Sequence, residues 1–228
     1  MIWWDERGYV VAFTTRVGGV SEPPYDSLNL TRGTGDDEAR VEENRRRACE
    51  ALGLPYERLA FNRQVHSPTV HRARPGGRGV PGDGLWTDEP AVPLLAMSAD
   101  CLPIAVVATE GPRRLAVLHA GWRGLSEGVV EAGVAALGDA PKAAIIGPAI
   151  GPCCYEVGPE VARLFERSLV RDGKLDLWSA AEQSLRHAGV GRVERVDLCT
   201  RDNPELFFSH RRDGLARGVQ GVIGAVAA

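Results

Sequence analysis

The sequence predicts an α+β protein in which strands and helices are mixed without a regular alternation. Three observations support this prediction. Short apolar runs typical of buried strands and longer amphipathic runs typical of helices both occur along the chain. Their order is not the repeating strand–helix–strand order of a doubly wound parallel sheet. No internal repeat, low-complexity tract or linker divides the 228 residues, so residues 1–228 are expected to form a single domain.

The first helix is predicted over residues 36–54. Acidic residues begin it, a glycine lies near its end, and Val41, Ala48 and Leu52 fall on one face at helical spacing. Three consecutive arginines, residues 45–47, are expected to form a solvated face of this helix, because charge runs usually contact solvent.

The remaining elements are assigned from length and periodicity. Residues 75–84, PGGRGVPGDG, have the composition of a loop. Buried strands are predicted over residues 94–109, 115–119, 143–147 and 193–198. Helices are predicted over residues 124–137, 159–170 and 176–188. EGPR, residues 110–113, is a good turn sequence, so the two strands that flank it are expected to form a hairpin.

Composition excludes several classes of function. The 27 basic and 30 acidic residues leave a net charge of −3, so the basic footprint of a nucleic-acid-binding protein is missing. No apolar run approaches the roughly 18 residues of a membrane span, and the first residues lack the order of a signal peptide. Five cysteines, with Cys153 and Cys154 adjacent, argue against a disulfide framework. These features predict a cytoplasmic protein with neither nucleic acid nor membrane as partner.

Two motif matches fail in their context. Residues 77–82, GRGVPG, match the dinucleotide-binding pattern GxGxxG but lack the preceding strand and the following helix. Residues 124–128, GLSEG, match the nucleophile elbow of hydrolases. Because the strand signal ends near His119, Ser126 is instead expected to be the N-cap of the following helix.

Cys101 and His119 are candidate metal ligands. In the predicted hairpin, the numbers of two residues that lie opposite each other sum to about 220–223. The numbers 101 and 119 sum to 220, so Cys101 and His119 should lie opposite each other or nearly so. Cross-strand neighbours have Cβ atoms about 4.5–5.5 Å apart, so both side chains should reach one ion. His66 and His71 differ by an odd number and would point to opposite faces of an extended segment, so only one is expected to join them.

A thiolate and two imidazoles are a ligand set suited to Zn²⁺ or copper, with a fourth position open to water or substrate. The residues alone also permit a buried, inert Cys101 among hydrogen-bonded histidines. Asp100 should point away from the site unless the backbone bends there. Arg123 follows the candidate ligand His119 within a turn and is a candidate for bidentate anion binding, or else a surface arginine.

Seven motifs resemble those of the bacterial laccase-domain family. This family was first described as multicopper polyphenol oxidases and later as purine nucleoside phosphorylases. The strongest matches are HAGWRG (119–124), SADCLPI (98–104) and GPAIGPCCYEVG (147–158). The others are RVGGVSEPPYDSLNL (16–30), RQVHSPTV (63–70), DGLWT (83–87) and FFSHRRDG (207–214). They follow one another in order over almost the whole chain.

The resemblance implies a single four-layer αββα-like sandwich with mixed β-sheets and a mononuclear zinc site formed by His66, Cys101 and His119. It implies phosphorolysis of adenosine, inosine and S-methyl-5'-thioadenosine, together with adenosine deamination, with purine nucleosides and phosphate as the molecules bound. Ser67 departs from the family, which usually has glycine after the motif histidine; the ligand itself is retained.

For this chemistry Arg123 is the first phosphate candidate, with Arg63 and Arg211 after it. Deamination uses a metal-activated water and a carboxylate that moves protons, for which Asp100 is the nearest candidate along the chain. Asp100, Cys101 and Arg123 are therefore the predicted catalytic residues.

The same residues are also compatible with other activities. Five histidines are too few for a multicopper centre. A single copper acting as a polyphenol oxidase would favour a weak axial ligand, but Met97 lies about 13 Å from Cys101 along the predicted strand. Cys101 as nucleophile with His119 as base would make an amide hydrolase. A closed four-ligand site would instead indicate a metal-stabilised binding module.

Overall fold

The computed structural model describes residues 1–228 and contains two six-stranded sheets that pack face to face. The strands are β1 (Ile2–Trp4), β2 (Tyr9–Phe13), β3 (Ala60–Arg63), β4 (Val70–Arg72), β5 (Arg78–Pro81), β6 (Gly84–Thr87), β7 (Leu94–Ser98), β8 (Leu102–Ala108), β9 (Leu115–Ala120), β10 (Lys142–Ile146), β11 (Val170–Arg171), β12 (Lys174–Leu175), β13 (Arg192–Arg195) and β14 (Gln220–Val226). The helices are α1 (Glu38–Glu50), α2 (Trp122–Ser126), α3 (Val129–Ala136), α4 (Pro159–Ala162), α5 (Leu177–His187) and α6 (His210–Asp213). Short 3₁₀ turns cover Tyr56–Arg58 and Arg167–Leu169.

Both large sheets are mixed. The first has the order β1-β2-β14-β7-β3-β5 and is antiparallel except where β3 pairs with β7 and with β5. The second has the order β13-β10-β8-β9-β6-β4 and is parallel only at its two edges, where β13 pairs with β10 and β4 with β6. β11 and β12 form a separate two-stranded hairpin.

Because successive side chains of a strand point to opposite sides, each sheet has an inner and an outer face, and packing on both gives four layers. One face of each sheet forms the central core, which includes Phe13, Leu94, Val107, Val117 and Val222. The outer face of the first sheet packs against α1, and the outer face of the second packs against α2, α3 and α5. Helix, sheet, sheet and helix are thus stacked in that order, which confirms the predicted four-layer α+β class.

Helix α1 lies within the predicted span, and its N-cap is Asp37, whose side chain accepts hydrogen bonds from two backbone N–H groups of the first turn. The prediction of a solvated arginine run is wrong at Arg45, which is only 3% exposed. Its Nε donates to the carbonyl of Leu30, Nη1 donates to Glu42, and the guanidinium lies over the ring of Phe61. This arginine therefore joins the helix to the first sheet.

The predicted strand over residues 94–109 is wrong as a single element, because β7 and β8 belong to different sheets. The chain crosses between the sheets at residues 99–101, where Asp100 has a φ of +91°. The Asp100 carboxylate holds this bend by accepting hydrogen bonds from Thr200 Oγ1 and the backbone N–H of Arg211, each at 2.7 Å. The crossing places Cys101 at the start of β8.

Predicted boundaries also change elsewhere. The helix over 124–137 is two helices, α2 and α3, separated by Gly128 at a φ of +94°. Ser126 is the last residue of α2 and its hydroxyl donates to the carbonyl of Arg123, so the N-cap prediction is wrong. Residues 159–170 form α4, a 3₁₀ turn and the first residue of β11 instead of one helix. The loop over 75–84 contains the exposed edge strand β5. No helix is both long and apolar enough to cross a membrane.

Candidate metal centre

His66, Cys101 and His119 converge, although they come from three separate elements. Their ligand atoms all lie within 4.8 Å of one another. Cys101 Sγ is 3.8 Å from His66 Nε2, and the two imidazole rings have centroids 4.8 Å apart in an edge-to-face arrangement. His66 follows β3, Cys101 precedes β8, and His119 lies on β9. The sheets thus bring together one sulfur and two nitrogen donors.

The hairpin of β8 and β9 aligns two of these residues. Pro103 pairs with His119 and Leu102 with Ala120, so paired numbers sum to 222, within the predicted range. Continued by one residue, this register puts Cys101 opposite Gly121. A Cβ on Gly121 would lie 2.9 Å from Cys101 Sγ and 2.9 Å from His66 Cδ2. Glycine is therefore required at this position by the close approach of two candidate ligands.

His66 reaches the cluster by a backbone turn, because its φ is +59° and β4 begins only at Val70. The prediction that residues 66–71 are extended is therefore wrong, but His66 and His71 still lie apart. His71 lies on β4 with Nε2 2.9 Å from the carbonyl oxygen of Pro81, outside the cluster.

Asp83, which was not singled out in the sequence, holds the cluster together. Its buried carboxylate lies 2.8 Å from His119 Nδ1 and accepts hydrogen bonds from the backbone N–H groups of Val65, His66 and Ser67. Because Nδ1 of His119 is engaged by Asp83, Nε2 is the nitrogen left to bind an ion. Asp83 begins the DGLWT motif, which is the signal that could have identified it. The hydroxyl of Ser67, the departure from the family, adds a further bond at 3.0 Å.

The electrostatics favour a charged thiolate. Burial raises the pKa of Cys101, but the charge and hydrogen bond of His119, with a smaller contribution from His66, outweigh it and lower that pKa below its ordinary value. Burial lowers the pKa of His119, but the charge of Cys101 and the hydrogen bond to Asp83 raise it above its ordinary value. A thiolate with two imidazoles fits Zn²⁺ and leaves one of four coordination positions to another molecule.

Two cavities meet at this cluster. The larger has a volume of about 800 Å³ and the smaller about 260 Å³. His66 and Cys101 line both, and His119 lines the larger. The wall of the larger cavity carries five arginines: Arg32, Arg45, Arg63, Arg78 and Arg217. The smaller is lined by aromatic and polar groups that include Trp122, Tyr155, Asp100 and Arg211.

The arginines of the larger cavity differ in their partners. Arg32, Arg45 and Arg78 each form an ion pair with Glu42. Arg63 and Arg217 have no carboxylate partner within 4.0 Å, although Arg217 Nη1 donates to the carbonyl of Gly214. Two buried polar atoms in this wall, Arg217 Nε and Ser98 Oγ, have no hydrogen-bond partner within the protein. These groups remain available to a bound anion.

Arg123 lines neither cavity. Its exposed side chain lies over the ring of Trp122, because it projects from the surface of α2. The structure therefore does not support Arg123 as a phosphate ligand. Arg211 does line the smaller cavity, where it lies over Tyr155 and donates to the carbonyl of Glu156.

Asp100 lies beside the cluster, but both of its carboxylate oxygens already accept hydrogen bonds. These bonds make Asp100 a positioning residue for the bend between β7 and β8; because it also lines the smaller cavity, its proton-transfer role stays a prediction. The distance argument for Met97 assumed a regular strand up to Cys101, which the bend at Asp100 interrupts; Met97 and Cys101 both line the larger cavity.

His66→Ala and His71→Ala provide a matched test of the histidine assignment. We expect His66→Ala to lower the zinc content of the purified chain by about one equivalent, since three-ligand sites lose affinity sharply when one ligand is removed. His71→Ala should leave the zinc content at the wild-type level, which metal analysis of both variants measures. Equal losses in the two variants would contradict the assignment.

The chain is similar over most of its length to proteins of known family and structure. The family model described as "Multi-copper polyphenol oxidoreductase laccase" matches residues 10–226. The chain is 38% identical over 228 residues to the Escherichia coli (strain K12) protein named purine nucleoside phosphorylase YfiH, covering 92% of this chain and 91% of that protein. It is 41% identical over 213 residues to purine nucleoside phosphorylase PA4543 of Pseudomonas aeruginosa, covering 87% and 86%. The crystal structure of YlmD from Geobacillus stearothermophilus matches with a TM-score of 0.89 at 33% identity, covering 100% of this chain and 99% of that chain.

Proposed function

The chain belongs to the multi-copper polyphenol oxidoreductase laccase family, and from this premise we propose that it is a zinc-dependent purine nucleoside phosphorylase. Its proposed substrates are adenosine, inosine and S-methyl-5'-thioadenosine with phosphate, and it also deaminates adenosine. One observation carries the proposal: the cluster of His66, Cys101 and His119 opens onto a cavity with arginines that lack carboxylate partners. Such a cavity suits an anionic co-substrate beside a metal.

His66, Cys101 and His119 would hold the metal, and the donor set favours Zn²⁺. When bound, the metal supplies a Lewis acid that polarises substrate or water for deamination. Asp83 orients His119 by holding its Nδ1, and it positions His66 through the backbone. A multicopper centre does not fit, because His71, His187 and His210 lie outside the cluster.

Phosphorolysis requires phosphate to attack the sugar C1′ as the purine leaves, through a transition state with oxocarbenium character. We assign phosphate binding to Arg63 and Arg217 in the larger cavity, since their guanidinium groups are not neutralised by carboxylates. Planar guanidinium groups bind phosphate oxygens in pairs and orient them. The aromatic walls of the smaller cavity, Trp122 and Tyr155, supply stacking surface for a purine. Arg211 in the same wall stays a candidate contact for the nucleoside.

A second candidate function is supported by the same geometry. Cys101, His119 and Asp83 form a nucleophile, base and orienting carboxylate in series, as in thiol-dependent amide hydrolases. The two functions differ in the state of the thiol. A bound metal protects Cys101 from alkylation by iodoacetamide, whereas a catalytic thiolate reacts rapidly and abolishes activity.

The decisive experiment is a nucleoside assay with and without inorganic phosphate. We expect ribose 1-phosphate and free purine from adenosine or inosine only when phosphate is present. Conversion of adenosine to inosine should continue without phosphate, because deamination uses water. Release of free ribose at an equal rate without phosphate would show a nucleoside hydrolase and contradict the proposal.

Arginine variants test the phosphate assignment. We expect Arg63→Ala or Arg217→Ala to raise the KM for phosphate by about 10- to 100-fold, which corresponds to the loss of a charge-assisted hydrogen bond, while deamination changes little. Arg186→Ala, at the exposed surface of α5, is the matched control and should not change the KM. Initial rates over a phosphate series measure the effect. A larger increase in Arg123→Ala than in the two cavity variants would contradict the assignment.

A further inference from the structure

A second group of potential metal ligands lies outside the site described above. It consists of Cys153, Cys154, Cys199 and Asp202, whose ligand atoms all lie within 4.8 Å of one another. The adjacent cysteines come from the GPCCYEV segment, and none of the four residues lines either cavity. All three cysteines are free thiols.

The fold brings these residues together at the edge of the second sheet. β10 and β13 are parallel neighbours, so the segments that follow them leave the sheet at the same end. The pairing is extended by a parallel bridge between Ala149 and Cys199 and by a hydrogen bond from the Thr200 N–H to the Ala149 carbonyl. Residues 151–155 and 199–203 then turn back toward each other.

The four donor atoms lie close together. Asp202 Oδ2 lies 3.1 Å from Cys153 Sγ, and Asp202 Oδ1 lies 3.0 Å from Cys154 Sγ. The N–H of Gly151 donates to Cys199 Sγ at 3.3 Å, so this sulfur is held by the backbone of the loop that carries the other two cysteines. Cys154 and Cys199 are buried, whereas Cys153 and Asp202 are exposed, so an ion can enter from solvent.

We propose that Cys153, Cys154, Cys199 and Asp202 form a second, structural site for one Zn²⁺. Three thiols and one carboxylate match the tetrahedral, sulfur-rich ligand sets of structural zinc, and a Cu⁺ ion would prefer sulfur donors alone. On binding, the ion replaces the three thiol protons, which are released, and no atom changes oxidation state. Zinc–sulfur bonds of about 2.3 Å set neighbouring sulfurs about 3.8 Å apart, a spacing that falls inside the 4.8 Å within which the four donors already lie.

With four protein ligands this site has no open position, which assigns it to structure rather than catalysis. The loops that it would join also support the smaller cavity. Tyr155 follows Cys154 and lines that cavity. Thr200 follows Cys199 and donates to Asp100. Zinc here would therefore fix the distance between these two walls.

Zinc analysis of the full-length chain, purified under reducing conditions, tests the proposal. We expect about two equivalents in the wild type and about one in Cys153→Ser/Asp202→Asn, which replaces only exposed ligands and so leaves the core intact. Cys49→Ala, a buried cysteine of α1 outside both clusters, is the control and should retain about two.

Cobalt substitution identifies the ligands independently, because the thiolate-to-Co²⁺ charge-transfer band scales with the number of bound sulfurs. Cys101→Ala should keep about three-quarters of the wild-type band, and Cys153→Ser/Asp202→Asn about one-quarter. A wild-type chain with one zinc equivalent and a single-sulfur band would overturn the proposal. A disulfide between Cys199 and Cys153 or Cys154 in the reduced preparation would also overturn the proposal.

Discussion

Cys101→Ala is expected to lose about one equivalent of zinc and to lower nucleoside cleavage by more than about 100-fold. Cys101 supplies the only sulfur of the cluster, and its thiolate lies between two imidazoles. Without it, His66 and His119 retain two neutral nitrogen donors, which hold zinc weakly. Metal analysis and initial rates of phosphorolysis, measured on the same preparation, check both parts.

Cys49→Ala is the matched control, because it removes a buried thiol that packs between α1 and the first sheet. It should retain both the zinc content and the activity. Full zinc occupancy in Cys101→Ala would contradict the ligand assignment. Loss of activity with full zinc occupancy would instead support the thiol nucleophile.

Asp83→Asn is expected to weaken zinc binding by about 10- to 100-fold, because ligand-orienting carboxylates contribute about that much. It should also lower the free energy of unfolding by about 2–4 kcal/mol, since the amide NH₂ would replace one of the two accepting oxygens. It would then face either the N–H of His66, which donates to Oδ1, or those of Val65 and Ser67, which donate to Oδ2. Competition with a zinc chelator and urea unfolding measure the two effects. Asp88→Asn, an aspartate of the neighbouring surface paired with Arg72, is the control. Unchanged zinc affinity in Asp83→Asn would contradict the positioning role.

The carboxylate of Asp83 should also make the free energy of unfolding depend on pH in the acid range. Burial raises the pKa of Asp83, but the hydrogen bonds from His119, Ser67 and Val65 and the charge of His119 lower it to about 2. A carboxyl whose pKa is depressed in the folded state stabilises the protein above its unfolded pKa of about 4, and this contribution disappears as the pH falls toward 2. It amounts to roughly 2–3 kcal/mol. Urea unfolding between pH 2 and 6, with chelator present, should show this loss in the wild type and not in Asp83→Asn.

Much of the fold and part of the site follow from local sequence. Helix α1, helix α5 and strands β9 and β10 form close to their predicted spans, because their apolar residues recur at the period of each element. The pairing of β8 with β9 was predictable from the turn sequence between them, and with it the closeness of Cys101 and His119. These features depend on residues that lie close together in the sequence, within one helix or one hairpin. The spacing of residue types along the chain therefore predicts them.

The tertiary structure alone decided the remainder. Asp83 meets His119 across two paired strands and reaches His66 through backbone N–H groups, contacts that no spacing predicts. The crossing at Asp100 separates one apolar run into two sheets, because bonds from Thr200 and Arg211 hold a left-handed backbone there. The structure also places Arg63 and Arg217 in the wall of the larger cavity and Arg123 outside it, which is the basis of the proposed phosphate assignment. A sequence records charge, but only the packed chain determines how each charge is paired and buried.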